Sequence, residues 1–449
     1  MRFCMITTFY PPYSFGGDAV FVEALSRGLA EQGHEVDVIH CLDSYRALAP
    51  RAPAGRAVPA AGVHVHRLRS PFGILSPLAT QQTGRPWLKA AQLRRLLDAK
   101  PFDVIHFHNV SLIGGPAVLG YGSALKLYTI HEHWLLCPMH TLFRDNREPC
   151  TEKRCFSCSL RYARPPQLWR YGRLMARSVE HVDLFLAPTE FTRAIHLASG
   201  LPLRIAVLES FHQPDPHPDP AAAERSAALV PAPPRPYFLY AGRLERIKGV
   251  AALIAAFRAH RAADLLIAGV GSEAGALAAM AAGCDNIRFL GNVSRDRLAG
   301  LISRALAVLV PSLGYEVFPL VVLEAFAEGT PVIARDRGSL AEIIHTSGGG
   351  VLFGDGAELA ACLRQLQEDP ALRRALGDAG RQAWQTRWTL AAHLRGYLSL
   401  IDRLRSPAPP SDRRPGQDLS PAPPSDRRPG QDLVAMVPIG AVGKETGAA

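Results

Sequence analysis

The sequence predicts an α/β protein of two doubly wound domains facing a cleft. Three observations carry this. Short apolar runs alternate with helical patterns along both halves of the chain. Those runs are apolar without strict alternation, as strands buried on both faces of a parallel sheet are. A Pro- and Ala-rich stretch separates the halves at residues 213–236.

In the first half, residues 2–8 form a short apolar run followed by a Gly-containing loop. Residues 18–32 then set Val20, Phe21, Leu25 and Leu29 on one helical face, and 35–40 reads as the next strand. Further strands are expected at 63–68, 103–108, 125–131 and 183–188. The second half repeats the theme at 237–242, 264–269, 286–291, 307–312, 331–336 and 349–354. The expected organisation is a domain over 1–212, a linker over 213–236, a second domain over 237–405 and a tail over 406–449. The last helix of the second domain is expected to pack back on the first. Residues 406–433 repeat SPAPPSDRRPGQDL twice, too Pro-rich and too poor in large apolar side chains to pack, so a disordered tail is expected.

Composition narrows the function classes. With 449 residues, 48% hydrophobic and 20% charged, the chain can bury a substantial core. The longest uncharged stretch, from Val104 to Leu125, carries His106, His108 and Asn109, which a lipid-facing helix would not tolerate. The apolar stretch before Pro11 and Pro12 is too short for a signal peptide, so a cytoplasmic location is expected. The formal charge of +10 is uneven: residues 1–205 carry 24 basic and 15 acidic side chains, whereas 206–405 carry 21 and 20. That asymmetry suggests an anionic partner for the first half, although a preference for Arg over Lys, 44 to 6, shapes it too.

In doubly wound sheets the ligand sits beyond the carboxyl ends of the strands, so the loops after the runs matter most. After 237–242 comes GRLERIKG, with Arg243 and Lys248 flanking the mouth of an apolar helix. Two cations beside a helix N-terminus suit a diphosphate, and a solvated loop with chance basic residues is the alternative. After 307–312 comes LGYEVFPL and a helix containing Glu324. Glu316 and Glu324 are eight residues apart, one in the loop and one a helical turn in. A carboxylate there can accept hydrogen bonds from vicinal hydroxyls of a ribose or hexose.

At these motifs the sequence resembles glycosyltransferase family 4, retaining enzymes of the GT-B fold with two Rossmann-like domains. The match consists of Glu316…Glu324 followed by EGTPVIA, the GRLERIKG loop, the AGVGSE loop at 268–273, and FYPPYSFGGDAVFVEALSRGLAEQGHEV near the start. The resemblance implies a hexose transferred from a UDP- or GDP-sugar to a hydroxyl acceptor with retention, in cell-envelope polysaccharide or glycolipid synthesis. By position, Arg243 and Lys248 would bind the donor diphosphate, with help from backbone N–H groups of Phe318 and Leu320. Glu324 would hold the ribose and Glu316 the sugar hydroxyls. Gly16 and Gly17 would admit the phosphates closely, Gly269 would lie in the base pocket, and His131 would sit near the reacting sugar. Glycan or lipid-linked acceptors are implied, and nucleic acid is not expected as a partner. Two departures from the family pattern are His131-Glu132 for His-Asp and Glu209-Ser210-Phe211 for Asn-Gly before the linker. No Asp-x-Asp occurs, so no catalytic divalent ion is indicated.

Cys137, Cys150, Cys155 and Cys158 lie within 22 residues in a polar insertion at 137–158, which predicts a structural Zn2+ held by four thiolates. An iron–sulfur cluster, a redox pair or chance are the other readings. A cationic, partly aromatic helix is expected from about Pro166 to Glu180, either at an anionic membrane, peripheral to its inner face, or packing Trp169 and Leu174 inward with Arg outward. Two other readings of the whole chain stay open at this stage, a nucleotide-sugar epimerase on the same fold and a zinc-containing nucleic-acid-binding protein.

Overall fold

The computed structural model describes residues 1–49, 59–214 and 235–406. Most of the expected linker and nearly all of the expected tail lie outside the described residues. The chain divides into two compact units. Among the described residues the first takes in 1–49, 59–142, 150–209 and 393–406; the second takes in 143–149, 210–214 and 235–392.

In the first unit, β1 (Arg2–Ile6), β2 (Glu35–Cys41), β3 (Val63–Leu68), β4 (Val104–Phe107) and β5 (Leu125–Thr129) belong to one parallel sheet. A two-stranded ribbon, β6 (Phe143–Arg144) and β7 (Glu148–Pro149), follows in sequence and belongs to the second unit. The first sheet then closes with β8 (Leu184–Ala187) and β9 (Ile205–Val207). Its order is β3-β2-β1-β4-β5-β8-β9. In this sheet β1 to β5 and β8 were legible as apolar runs, whereas β9 is only three residues long and fell below any periodic signal; the β6–β7 ribbon was not expected. Alternate residues of β1 serve opposite faces: Cys4 and Ile6 join the cluster of Phe107, Tyr128 and Phe185, and Phe3 lies against Tyr397 of the Leu390–Arg405 helix.

The second unit repeats the plan with β10 (Tyr237–Ala241), β11 (Asp264–Ala268), β12 (Ile287–Gly291), β13 (Val308–Val310), β14 (Val332–Arg335) and β15 (Gly350–Phe353). Its parallel order is β12-β11-β10-β13-β14-β15. Two apolar clusters cover the sheet's faces, one around Phe238, Phe257 and Leu363, the other around Phe326, Trp388 and Leu340. In each unit the strand order reverses once, between β1 and β4 and between β10 and β13. At such a reversal the loops leaving the two central strands diverge and open a crevice.

Candidate active site

At the β10–β13 reversal the loops are joined through backbone. Leu313 donates its N–H to the Ile247 carbonyl at 2.7 Å, and Leu244 donates to that of Val270 at 2.9 Å. Two glycines make this closeness sterically allowed. Gly249 has φ +71°, and a Cβ there would stand 2.2 Å from the Pro311 oxygen. Gly269, at φ +151°, would put a Cβ 1.8 Å from the Gly242 oxygen. The Gly269 conformation thus serves the close approach of two loops.

This stitching brings Lys248 and Glu316 together. The Lys248 ammonium lies 2.7 Å from Glu316 Oε1, which also accepts the Ser312 hydroxyl at 2.6 Å. Burial pushes the Glu316 carboxyl up, but the Lys248 charge and the hydrogen bonds of Lys248 and Ser312 outweigh it and hold the group below the usual range. The ammonium has three donors and spends one here. Arg243 is exposed and pairs with Glu245 at 2.8 Å. Pro319 caps the Leu320–Ala327 helix, so the N–H groups of Phe318 and Leu320 flank its positive end. Glu324 lies one turn into that helix, where burial raises its carboxyl pKa against the opposing charge of Arg295. Lys248, Glu316, Phe318, Leu320 and Glu324 therefore gather on two loops and one helix of the second unit. Ser312 and Arg295 were missed in the sequence, because neither belongs to a motif with its own spacing.

The reversal in the first unit carries a second constellation. Gly16, at φ +79°, caps the Gly17–Glu31 helix after β1. Asp18, two residues on, accepts from the Ala19 N–H at 2.9 Å and from Asn109 Nδ2, after β4, at 3.4 Å. Burial, followed by the nearby charge of Glu132, pushes the Asp18 carboxyl up to about 6. After β5, His131 meets His108 with 3.0 Å between His131 Nε2 and His108 Nδ1. Burial, then the His393 ring, lowers His131 to about 3, so the imidazole is neutral at physiological pH. Behind them His106 bonds Thr129 Oγ1 and the Tyr397 hydroxyl, each at 2.8 Å. Asp18, His108 and Tyr397 were not read as candidate site residues in the sequence; strand order brings Asp18 and His108 near His131, and the last helix brings Tyr397 to His106.

The four-thiolate zinc centre is not borne out. Among the described residues no group of three or more His, Cys, Asp or Glu side chains is disposed to hold a metal. Cys137 and Cys158 are buried as small hydrophobes, Cys150 and Cys155 are partly exposed, and none is in a disulfide. Beside the insertion, an arginine is held by the aromatic residues that flank it in sequence. The Arg170 guanidinium lies over Trp134 and Trp169, 5.2 and 4.6 Å from their ring centroids, and donates to the Trp134 carbonyl at 2.8 Å. The helix expected from Pro166 to Glu180 is also corrected. Gly172 separates a short turn at Leu168–Tyr171 from a helix at Leu174–Val179, and Arg170 points inward.

Comparison with known proteins agrees with this geometry. Residues 15–215 match the model described as Glycosyltransferase Family 4, and residues 223–383 match Glycosyl transferases group 1. The chain is 29% identical over 432 residues to a glycogen synthase of Mycobacterium tuberculosis, covering 91% of this chain and 97% of that one. It is 27% identical to an MMP alpha-(1->4)-mannosyltransferase of Mycolicibacterium hassiacum, covering 83% and 92%. Among solved structures, sucrose-phosphate synthase of Thermosynechococcus elongatus aligns with a TM-score of 0.68 at 22% identity, over 90% of this chain and 98% of that one. Anabaena HepE in complex with UDP aligns at 0.61 and 15% identity, over 90% and 100%. These matches favour glycosyl transfer over the nucleic-acid-binding alternative. The two family models divide most of the chain between them, and the protein is a glycosyltransferase of family 4 with the GT-B fold.

Proposed function

We propose that this glycosyltransferase moves a hexose from a UDP- or GDP-sugar to a hydroxyl of a glycan or lipid-linked acceptor, with retention at the anomeric carbon. The observation that carries the reading is the Lys248–Glu316 pair at the β10–β13 reversal. A cation for phosphate oxygens and a carboxylate for sugar hydroxyls stand one hydrogen bond apart, as the two ends of a sugar-phosphate bond require. Lys248 and Arg243 neutralise the leaving diphosphate, together with the N–H groups ahead of the Leu320–Ala327 helix. Glu316 binds the transferred sugar and Glu324 the ribose. Gly269 borders the base, Gly16 and Gly17 leave room for phosphate and sugar, and neutral His131 hydrogen-bonds a sugar hydroxyl. The acceptor hydroxyl attacks from the face the diphosphate leaves, so positioning and electrostatic stabilisation of an oxocarbenium-like state supply the rate. Cell-envelope polysaccharide or glycolipid synthesis, with peripheral contact to an anionic membrane, is part of the same reading.

A donor panel tests it. The melting temperature of the purified protein should rise with one UDP- or GDP-sugar and not with the free hexose. Glu324→Ala should weaken that donor about tenfold or more, the cost of a lost charge-assisted hydrogen-bond pair. Unchanged donor binding in Glu324→Ala would refute the ribose assignment. NMR of the transferred product reads the anomeric outcome, and sugar inversion without transfer would favour an epimerase.

A further inference from the structure

Between Asp43 and Asp98 the sequence holds nine Arg or Lys and no Asp or Glu, and residues 161–179 hold five Arg and no acid. The fold of the first unit brings described parts of these stretches onto one surface, with Lys89 and Arg170 turned inward. The Leu75–Thr83 helix packs against the Leu42–Leu48 helix and against the turns at Trp87–Lys89 and Leu168–Tyr171. Trp169 Nε1 donates to the Gln81 carbonyl at 2.8 Å and fixes the last of these contacts.

Large apolar side chains stand outward on that surface. Phe72 is 58% exposed, Ile74 60%, Trp87 64% and Leu168 66%. Leu75, Leu78 and Tyr171 extend the patch. Hydrogen bonds hold its tip in place: Ser70 N–H donates to Asp43 Oδ2 at 2.6 Å, and Phe72 N–H donates to Ser70 Oγ at 3.2 Å. Directly beside the tip lies a cavity of about 380 Å³ whose lining includes Arg46, Arg69, Ser70 and Ile74. Its one carboxylate, Asp43, is buried and engaged by Ser70. Arg46 and Arg69 are exposed and enter no ion pair among the described residues.

We propose that this face docks on an anionic lipid bilayer, with Phe72, Ile74 and Trp87 entering the interface and Arg46 and Arg69 holding a headgroup phosphate. Apolar tips, an interfacial Trp and Tyr, and cations of one sign match the layered chemistry of a membrane surface. A second copy of the chain fits poorly, because a two-fold contact would bring Arg46 and Arg69 against the same cations. No helix among the described residues is long and apolar enough to cross a membrane, so the contact is peripheral. The inference deepens the membrane-facing reading above and replaces residues 166–180 with the Phe72–Leu88 segment as its main contact.

Flotation of the full chain with vesicles tests it, using phosphatidylcholine alone and phosphatidylcholine with about one third phosphatidylglycerol. Binding should be about tenfold or more stronger on the anionic vesicles and should fall with added salt. The double variant Phe72→Asp/Ile74→Asp should lose about tenfold or more of that binding, with melting temperature and donor-induced stabilisation unchanged. Arg46→Ala/Arg69→Ala should lose the preference for phosphatidylglycerol and keep its fold. Equal binding to both vesicles, or a Phe72/Ile74 variant that floats like the parent, overturns the proposal. So does a self-associated chain, seen in sedimentation, that the same variant dissociates, because a second copy would then cover the face. Donor-induced stabilisation that persists without vesicle binding separates failure here from failure of the transfer reading.

Discussion

Asp18 carries a pH signature that belongs to one side chain. Burial and Glu132 raise its carboxyl to about 6 in the folded chain, against about 3.9 for an unfolded aspartate. Between those values the folded state binds more protons than the unfolded one, so stability falls as pH rises through the window. Above it the carboxylate is ionised and the cost of burying it is fully felt. Asp18→Asn should therefore raise the melting temperature at about pH 8, and the gain should shrink and vanish by about pH 4. An equal gain at both ends would place the cause outside this carboxyl. Residues differ in how far the sequence reveals them. Glu316 and Glu324 were legible from an eight-residue spacing, and Lys248 from its place before an apolar helix. Asp18 and His108 acquire meaning only because β1 neighbours β4 in the sheet, an adjacency no local pattern encodes. The cysteines show the converse: their spacing suggested a metal, yet among the described residues they form no group disposed to hold one.

At the scale of elements, the glycines between β10, β11 and β13 determine whether the loops proposed to hold the donor can meet. Gly269→Ala would force a Cβ to 1.8 Å from the Gly242 oxygen at a φ of +151°. The expected cost is on the order of 3 kcal/mol, from strain and displaced backbone together. Urea unfolding measures the loss, and donor affinity should fall with it because the Lys248 loop moves. Gly275→Ala, on the next helix with open space around it, is the control and should be nearly neutral or slightly stabilising. The strands themselves were largely legible, since buried parallel strands appear as bare apolar runs. The stretch after Pro166 was less so. Its aromatic and basic periodicity fits a helix, but Arg170 gains more by turning inward between Trp134 and Trp169, and tertiary contact overrides the local pattern.

For the whole molecule, the first unit begins at residue 1 and is completed only by the helix that ends at Arg405. Tyr397 reaches His106, and Leu400 and Ile401 are fully buried. A chain ending at Thr389 should lose protection of the β1 and β4 amides in hydrogen exchange, while β10 and β13 stay protected. Uniform loss across both sheets would show that the two units unfold as one. This interruption also governs the order in which the protein can be made. A ribosome releases residues 210–392 before it releases the helix that completes the first sheet, so the later-encoded unit is the first able to finish folding. Until then His106 lacks its tyrosine and the apolar side of β1 lacks its cover, and the growing chain carries an open flank until the Leu390–Arg405 helix emerges.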